Sequence, residues 1–314
     1  MTDERRYVYP SYYRAFACKA GACRHSCCRG WEIDIDDRTL ARYERESGDL
    51  GDRLRAHISR DGTPHFILTP GDSCPFLRTD GLCELILSRG EDILCDICRE
   101  HPRFHNELPG RIESGLGLSC EAAAELILGE PDCVTLEGLD GAPSDDPIIA
   151  LRDACIKVLQ DRTKELDTRV SDMLALVGAE MPERDLGAWS DLLLSLECLD
   201  PTWTTLITEL KRDGGMVGFP MITAYTKARE REHEQLLVYL VYRYMASAFD
   251  EMEARETALF IAFSYELVRT LGALLLRRKG RFDFDDLTDL VRLFSSEIEY
   301  CEENVEAIRD FLRT

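Results

Sequence analysis

The chain has 314 residues, and its composition, 45% hydrophobic and 31% charged, is typical of a globular protein and excludes wholesale disorder. This length suits one large domain or two domains of ordinary size. The 59 acidic residues outnumber the 38 basic ones and give a net charge of -21, which argues against a nucleic-acid partner and tolerates a lysine-bearing one.

The N-terminal part is expected to be irregular, with short helices and turns around its cysteines. A helix is predicted after Asp36, because aspartate caps the N-terminus of a helix. Residues 81–99 carry a mostly helical apolar pattern that breaks near Gly90, and Pro102 ends any helix that precedes it.

The C-terminal part has helical spacing of apolar residues almost throughout. Helices are predicted over 148–159, 170–177, 186–196, 235–245, 257–276, 282–294 and 298–312. The stretch 136–147, rich in Gly, Pro and Asp, is predicted to link a cysteine-rich metal-binding domain, 1–135, to a helical domain, 148–314. The predicted fold is therefore mainly α, with an irregular cysteine-rich, metal-stapled N-terminal part and a helical C-terminal bundle.

No targeting or membrane segment is predicted. The first ten residues are charged and no apolar stretch follows them, so they do not resemble a secretory signal. The longest stretch without a charged residue, 214–226, is shorter than the roughly 18 apolar residues of a membrane span. A soluble, cytoplasmic protein is therefore expected.

The thirteen cysteines are unevenly distributed. Ten fall between Cys18 and Cys133, and the other three are Cys155, Cys198 and Cys301. Disulfides do not persist in a reducing compartment, so metal ligation is the preferred explanation for the clustered thiols. The three scattered cysteines, together with Cys133, are expected to be small buried hydrophobic residues.

Nine of the clustered cysteines are candidate metal ligands: Cys18, Cys23, Cys27, Cys28, Cys74, Cys83, Cys95, Cys98 and Cys120. Thiolates suit zinc and iron–sulfur clusters, and either centre needs four converging ligands. Nine thiols exceed that number, and adjacent Cys27 and Cys28 point in different directions, so both need not bind the same metal. His25 could complete a mixed sulfur–nitrogen zinc site, although an exposed polar role is more typical.

The order of the motifs indicates a family. They are Tyr9-Pro10, Cys18-x4-Cys23-x3-Cys27-Cys28-x2-Trp31, Cys74-Pro75-Phe76-Leu77, Gly81-Leu82-Cys83, Cys98-x3-Pro102-Arg103 and Ser119-Cys120. Over residues 9–125 the chain resembles the flagellin lysine-N-methylase family, which is related to a wider group of zinc- or iron-chelating proteins with clustered cysteines. Cys95 departs from the family pattern and is the least secure ligand.

The resemblance implies transfer of a methyl group from S-adenosylmethionine to lysines of flagellin or of another lysine-bearing protein. It also implies an iron–sulfur cluster (4Fe-4S) held by these cysteines, with zinc as the alternative. The sequence identifies no catalytic or cofactor-binding residue. A tyrosine or carboxylate could orient the lysine amine, and Tyr12, Tyr13, Glu32 and Asp34 lie near the cysteines in sequence.

Two other functions also explain the cysteines. A non-catalytic zinc or iron chelator, or a metal-dependent interaction protein, agrees with the absence of a dinucleotide fingerprint, a P-loop and a nucleophile elbow. A thiol oxidoreductase would use Cys95 and Cys98, but these lack the strand-to-helix setting of a thioredoxin-like site. Binding of S-adenosylmethionine distinguishes the methylase from the chelator.

Overall fold

The computed structural model describes residues 6–138, 146–181 and 183–313. These residues form two compact units: a cysteine unit of residues 17–104 and 120–122, and a helical unit of residues 6–16, 105–119 and 123–313. The predicted linker, 136–147, lies partly outside the described residues. The folding of 1–135 and 148–314 as separate domains stays a prediction.

Helices dominate the described residues, which confirms the mainly α fold. The helices are α1 (Asp37–Arg45), α2 (Gly48–Ala56), α3 (Glu84–Arg89), α4 (Asp96–Glu100), α5 (Glu121–Leu128), α6 (Pro147–Leu159), α7 (Leu166–Leu176), α8 (Leu186–Ser195), α9 (Pro201–Asp213), α10 (Phe219–Ala228), α11 (Glu230–Tyr244), α12 (Glu251–Lys279), α13 (Phe284–Phe294) and α14 (Glu302–Leu312). The strands are β1 (Arg6–Pro10), β2 (Ile58–Ser59), β3 (His65–Phe66), β4 (Arg103–Leu108), β5 (Arg111–Leu116) and β6 (Leu136–Glu137).

The cysteine unit has a small aromatic core. Phe66 and Phe76 are buried, with ring centroids 5.3 Å apart, and Tyr43 of α1 packs on Phe66. The side chain of Asp36 accepts a hydrogen bond from the backbone N–H of Thr39, which confirms the predicted start of α1. The break near Gly90 is also confirmed, because α3 ends there with φ at 76°.

The helical unit contains a sheet that the sequence did not predict. Its strand order is β4-β5-β1-β6. Strand β1 runs parallel to β5, with Val8 opposite Glu113, and antiparallel to β6. The N-terminal part is therefore more regular than expected, since pairing between strands so distant along the chain leaves no local sequence signal.

The C-terminal helices follow the predicted pattern with two corrections: α9 and α10 were not predicted, and one predicted helix is interrupted. Residues 298–312 were predicted as one helix, whereas a π-helical turn covers Ser295–Glu299 and α14 begins at Glu302. Helix α11 is buried along most of its length and begins five residues before the predicted 235–245. Helix α12 extends beyond the predicted 257–276 and ends at Gly280, whose φ of 72° is left-handed.

Helix α12 is long and apolar enough to cross a membrane, judged by length and composition alone. Its most apolar window is 83% buried inside the protein. The central helix of a globular protein passes the same test, so this result is weak evidence for a membrane span. This helix was predicted from the sequence but not as a candidate membrane span, because Glu266 and Arg269 interrupt its uncharged stretches.

Candidate functional site

One set of thiols in the cysteine unit, called group A here, consists of Cys18, Cys23, Cys27 and Cys120. Burial, and then the charges of Glu121, Cys120 and Cys18, raise the pKa of Cys23 to about 11. A hydrogen bond with Cys28 and burial raise the pKa of Cys27, and Cys120 and Cys18 add to this effect. Because the charges of Cys18 and Cys120 act on both Cys23 and Cys27, the four sulfurs lie close enough together to interact electrostatically.

Glu121 organises the segment that carries group A. Its buried carboxylate accepts hydrogen bonds from Lys19 Nζ at 2.8 Å and from the backbone N–H groups of Arg24 and His25 at 2.9 and 3.2 Å. Burial alone would raise the pKa of Glu121, but the hydrogen bonds from Lys19 and His25 outweigh it and the pKa is lowered. The ionised carboxylate thus ties residues 19–25 to the start of α5, beside Cys120. The side chain of His25 is exposed.

The second set, group B, consists of Cys28, Cys74, Cys83, Cys95 and Cys98, which pack in the core of the cysteine unit. The backbone N–H of Cys74 donates to the carbonyl of Cys28 at 2.8 Å, and Leu77 pairs with Cys83 across a turn. Gly81 makes that turn with φ at 78°, a conformation that favours glycine. These contacts bring together thiols that are distant in sequence.

The thiols of group B also influence one another. A hydrogen bond from Cys27 lowers the pKa of Cys28 to about 7. Burial raises the pKa of Cys74 to about 12, and the charges of Cys28, Cys83 and Cys95 contribute. The donor set of each group suits a thiolate-bound metal, with four thiols in group A and five in group B.

Cys95 and Cys98 do not form an accessible redox pair. Cys95 is fully buried at the start of α4, and the thiol of Cys98 donates a hydrogen bond to it, which lowers the pKa of Cys95. A 3₁₀ turn, Glu91–Ile93, precedes this pair where a thioredoxin-like site would have a strand. A buried sulfur cannot meet a protein substrate, which counts against the oxidoreductase alternative.

Three of the four cysteines outside the two groups differ from expectation. Cys155 is buried as predicted, but Cys133 and Cys198 are exposed and Cys301 is half-buried. The prediction was wrong for these three because each lies at a loop or a helix end, where burial is incomplete. All thirteen cysteines are free thiols.

The residues suggested for orienting a lysine lie in both units. Tyr12, in the helical unit, is buried, and burial raises its pKa. Tyr13 of that unit stacks on Tyr9 with centroids 5.3 Å apart. Glu32 and Asp34, in the cysteine unit, are exposed, and Glu32 lies 3.4 Å from His65 Nδ1. A catalytic role for any of the four stays a prediction.

A buried carboxylate in the helical unit went unnoticed in the sequence. Glu299 accepts hydrogen bonds from the hydroxyl groups of Tyr239 and Tyr244 at 2.9 and 3.2 Å. Arg243 Nε lies 3.5 Å from the same carboxylate, and its guanidinium stacks on Tyr244 and Tyr300. Since Arg243 already supplies the cation that faces Glu299, this network holds the end of the π-helical turn.

An open cavity of about 570 Å³ lies in the helical unit, beside the end of α10 and the start of α11. Its charged lining residues are Arg162, Arg169, Lys227, Arg231, Glu230, Glu232 and Glu234. Phe284 of α13 adds an aromatic ring, and a Cβ atom added to Gly129 would lie 3.5 Å from that ring. Sequence analysis missed the cavity because its walls come from separate segments of the chain.

His233, one turn into α11, provides a pH-sensitive group. It is fully buried between the rings of Tyr225 and Tyr265, and neither ring nitrogen has a hydrogen-bond partner. Burial, and then the charges of Arg269 and Arg229, lower its pKa from 6.5 to about 3.

The neutral imidazole of His233 must gain a proton on unfolding below pH 6.5, so its contribution to stability falls as the pH drops from 6.5 towards 3. Between pH 7.5 and 5, wild type should lose about 2 kcal/mol more free energy of unfolding than His233→Phe. Urea denaturation of both proteins at the two pH values measures this difference. Equal losses would contradict it.

Comparison with known proteins places the chain in a family. The model of the FliB lysine N-methylase C-terminal domain matches residues 219–314. The flagellar biosynthetic protein FliU of Salmonella muenchen is 30% identical over 135 residues, which cover 40% of this chain and 79% of FliU. The chain belongs to the FliB lysine N-methylase family. Within that family, the matched C-terminal domain contains α10 to α14 and much of the cavity wall.

Two further FliB-family relatives are named lysine-N-methylase, from Salmonella choleraesuis (strain SC-B67) and Salmonella typhimurium (strain LT2). Each is 30% identical over 135 residues, which cover 40% of this chain. The match covers 33% of each of these relatives, so this chain matches about a third of their length. No solved structure matches the chain.

Proposed function

We propose that this chain is an S-adenosylmethionine-dependent protein-lysine N-methyltransferase that acts on flagellin. The observation that carries the proposal is the 30% identity to two lysine-N-methylases and to a flagellar biosynthetic protein. The matched C-terminal family domain supports the same activity. The net charge of -21 suits a lysine-bearing substrate, since a negative surface raises its local concentration.

The proposed reaction is a polar displacement. The lone pair of a neutral lysine amine attacks the methyl carbon of S-adenosylmethionine, and the carbon–sulfur bond breaks as the N–C bond forms. The sulfur keeps the bonding pair and leaves as S-adenosylhomocysteine, while the methylated ammonium releases one proton to water. Positioning the amine in line with the methyl group, and removing water from it, supplies most of the acceleration.

The cysteines have a structural part in this proposal. Group A and group B would each hold a metal centre, with Cys95 the excess thiol of group B. The resemblance of the cysteine motifs to those of the family supports an iron–sulfur cluster, with zinc as the alternative. When bound, such a centre supplies cross-links between distant segments and thereby stabilises the unit.

The proposed location is the cytoplasm. Thirteen free thiols suit a reducing compartment. The acidic surface gives no reason to expect nucleic acid as a partner. Membrane association forms no part of the proposal.

The function is tested by incubating anaerobically purified, metal-loaded protein with flagellin and S-adenosylmethionine labelled in its methyl group. Label should enter flagellin, and flagellin with acetylated lysines is the matched control that should stay unlabelled. Equal labelling of both flagellins would place the methyl group elsewhere than on lysine. No labelling by a metal-loaded protein would favour the non-catalytic metal-binding alternative.

A further inference from the structure

We infer that the open cavity of the helical unit is the binding site for S-adenosylmethionine, an inference that rests on the proposed function. The cavity volume of about 570 Å³ lies within the range of small-molecule sites, roughly 300–1,000 Å³. Its α10, α11 and α13 walls belong to the segment that matches the lysine N-methylase C-terminal domain. Its lining is mostly charged, with one aromatic side chain.

The charges of the cavity do not cancel. Two of its arginines already have carboxylate partners. The buried Glu234 pairs with Arg162 at 2.8 Å and with Arg169, and Arg169 also pairs with Glu230. Arg231 forms no ion pair with any residue that the structure describes, and Lys227 reaches only the exposed Glu165, at 3.4 Å. Two exposed cations therefore remain at the cavity rim of a strongly acidic protein.

A second observation points to a polar ligand. The Nε atom of Arg169 is buried and has no hydrogen-bond partner, although the side chain is 99% buried and lines the cavity. A buried donor without a partner is destabilising. A bound ligand with an acceptor group, or its ordered water, would satisfy that donor.

The chemistry of S-adenosylmethionine matches this lining. Its carboxylate suits Arg231 and the exposed Lys227, whose one ion pair is with the exposed Glu165. Its ammonium and sulfonium groups suit Glu230 and Glu232, which pair with Arg169 and Arg229 but remain partly exposed. The flat adenine suits the ring of Phe284. A phosphate-rich nucleotide fits less well, because three glutamates also line the cavity.

The experiment is calorimetric titration of S-adenosylmethionine into three forms of the full, metal-loaded chain at low ionic strength. These are wild type, the double variant Lys227→Glu/Arg231→Glu, and the control Arg45→Glu/Arg255→Glu. The control makes the same charge change at two exposed arginines outside the cavity. Circular dichroism and metal content establish that all three forms are folded.

The inference predicts affinity at least about tenfold weaker in the cavity variant, with the control unchanged. Equal affinity in all three forms would overturn the cavity as the site and leave the proposed function standing. Wild type that neither binds S-adenosylmethionine nor methylates flagellin would overturn both. Tighter binding of ATP than of S-adenosylmethionine to the wild-type cavity would overturn the assignment of the ligand.

Discussion

Replacing Glu113 by alanine is expected to lower the free energy of unfolding by about 3–5 kcal/mol. Glu113 of β5 and Arg152 of α6 are both fully buried, and two hydrogen bonds of 2.7 and 3.0 Å join the carboxylate to the guanidinium. Arg111 lies 2.7 Å from the same carboxylate. Removal of the carboxylate would leave the buried Arg152 guanidinium with Asp153 as its remaining carboxylate partner. A buried charge that is incompletely paired is costly in a low-dielectric interior.

A double variant separates the loss of the charge from the loss of packing. Replacing the pair together, as Glu113→Leu/Arg152→Met, should recover most of the stability, because a hydrophobic pair needs no compensation for desolvation. Asp191→Ala, which removes one exposed ion pair of the same unit, should leave the urea midpoint unchanged. A Glu113→Ala midpoint equal to that of Asp191→Ala would contradict the importance of the buried pair.

The second large effect concerns the metal content of the cysteine unit. Cys18→Ser should remove the metal of group A and keep that of group B, since Cys18 is exposed and lies outside the core that holds group B. Cys98→Ser should remove the metal of group B, because a centre that loses one of its thiolates binds metal far more weakly. Iron, zinc and sulfide assays on anaerobically purified protein measure both losses.

Cys133→Ser is the control for these variants, because Cys133 is an exposed thiol outside both groups. It should keep the full metal content of wild type. Full metal content in Cys18→Ser would show that group A binds none. Loss of all metal in a folded Cys18→Ser protein would show that the nine thiols serve one centre instead of two.

The cysteine motifs could be recognised from the sequence because their members lie close together along the chain. Their division into two groups could not, since it depends on the contact of Cys28 with Cys74, which are far apart in sequence. Glu121 looked like an ordinary helix residue, and only the structure places its carboxylate on the segment that carries Cys23.

The helical part was more predictable than the sheet. Helices reveal themselves by local periodicity, and α6, α8 and α13 lie close to the predicted spans. Strand β1 pairs with β5, which lies about a hundred residues later in the chain, so no local sequence pattern predicts this pairing. The cavity is similarly non-local, because Arg169 and Glu234 come from separate helices.

The most direct test of the central claim, lysine methylation, is the identity and yield of the products. Anaerobic, metal-loaded protein is incubated with flagellin and S-adenosylmethionine, and the flagellin is hydrolysed to amino acids. We expect ε-N-methyllysine and S-adenosylhomocysteine in equal amounts. S-adenosylhomocysteine without methyllysine, or neither product from protein that retains its metal, would contradict lysine methylation.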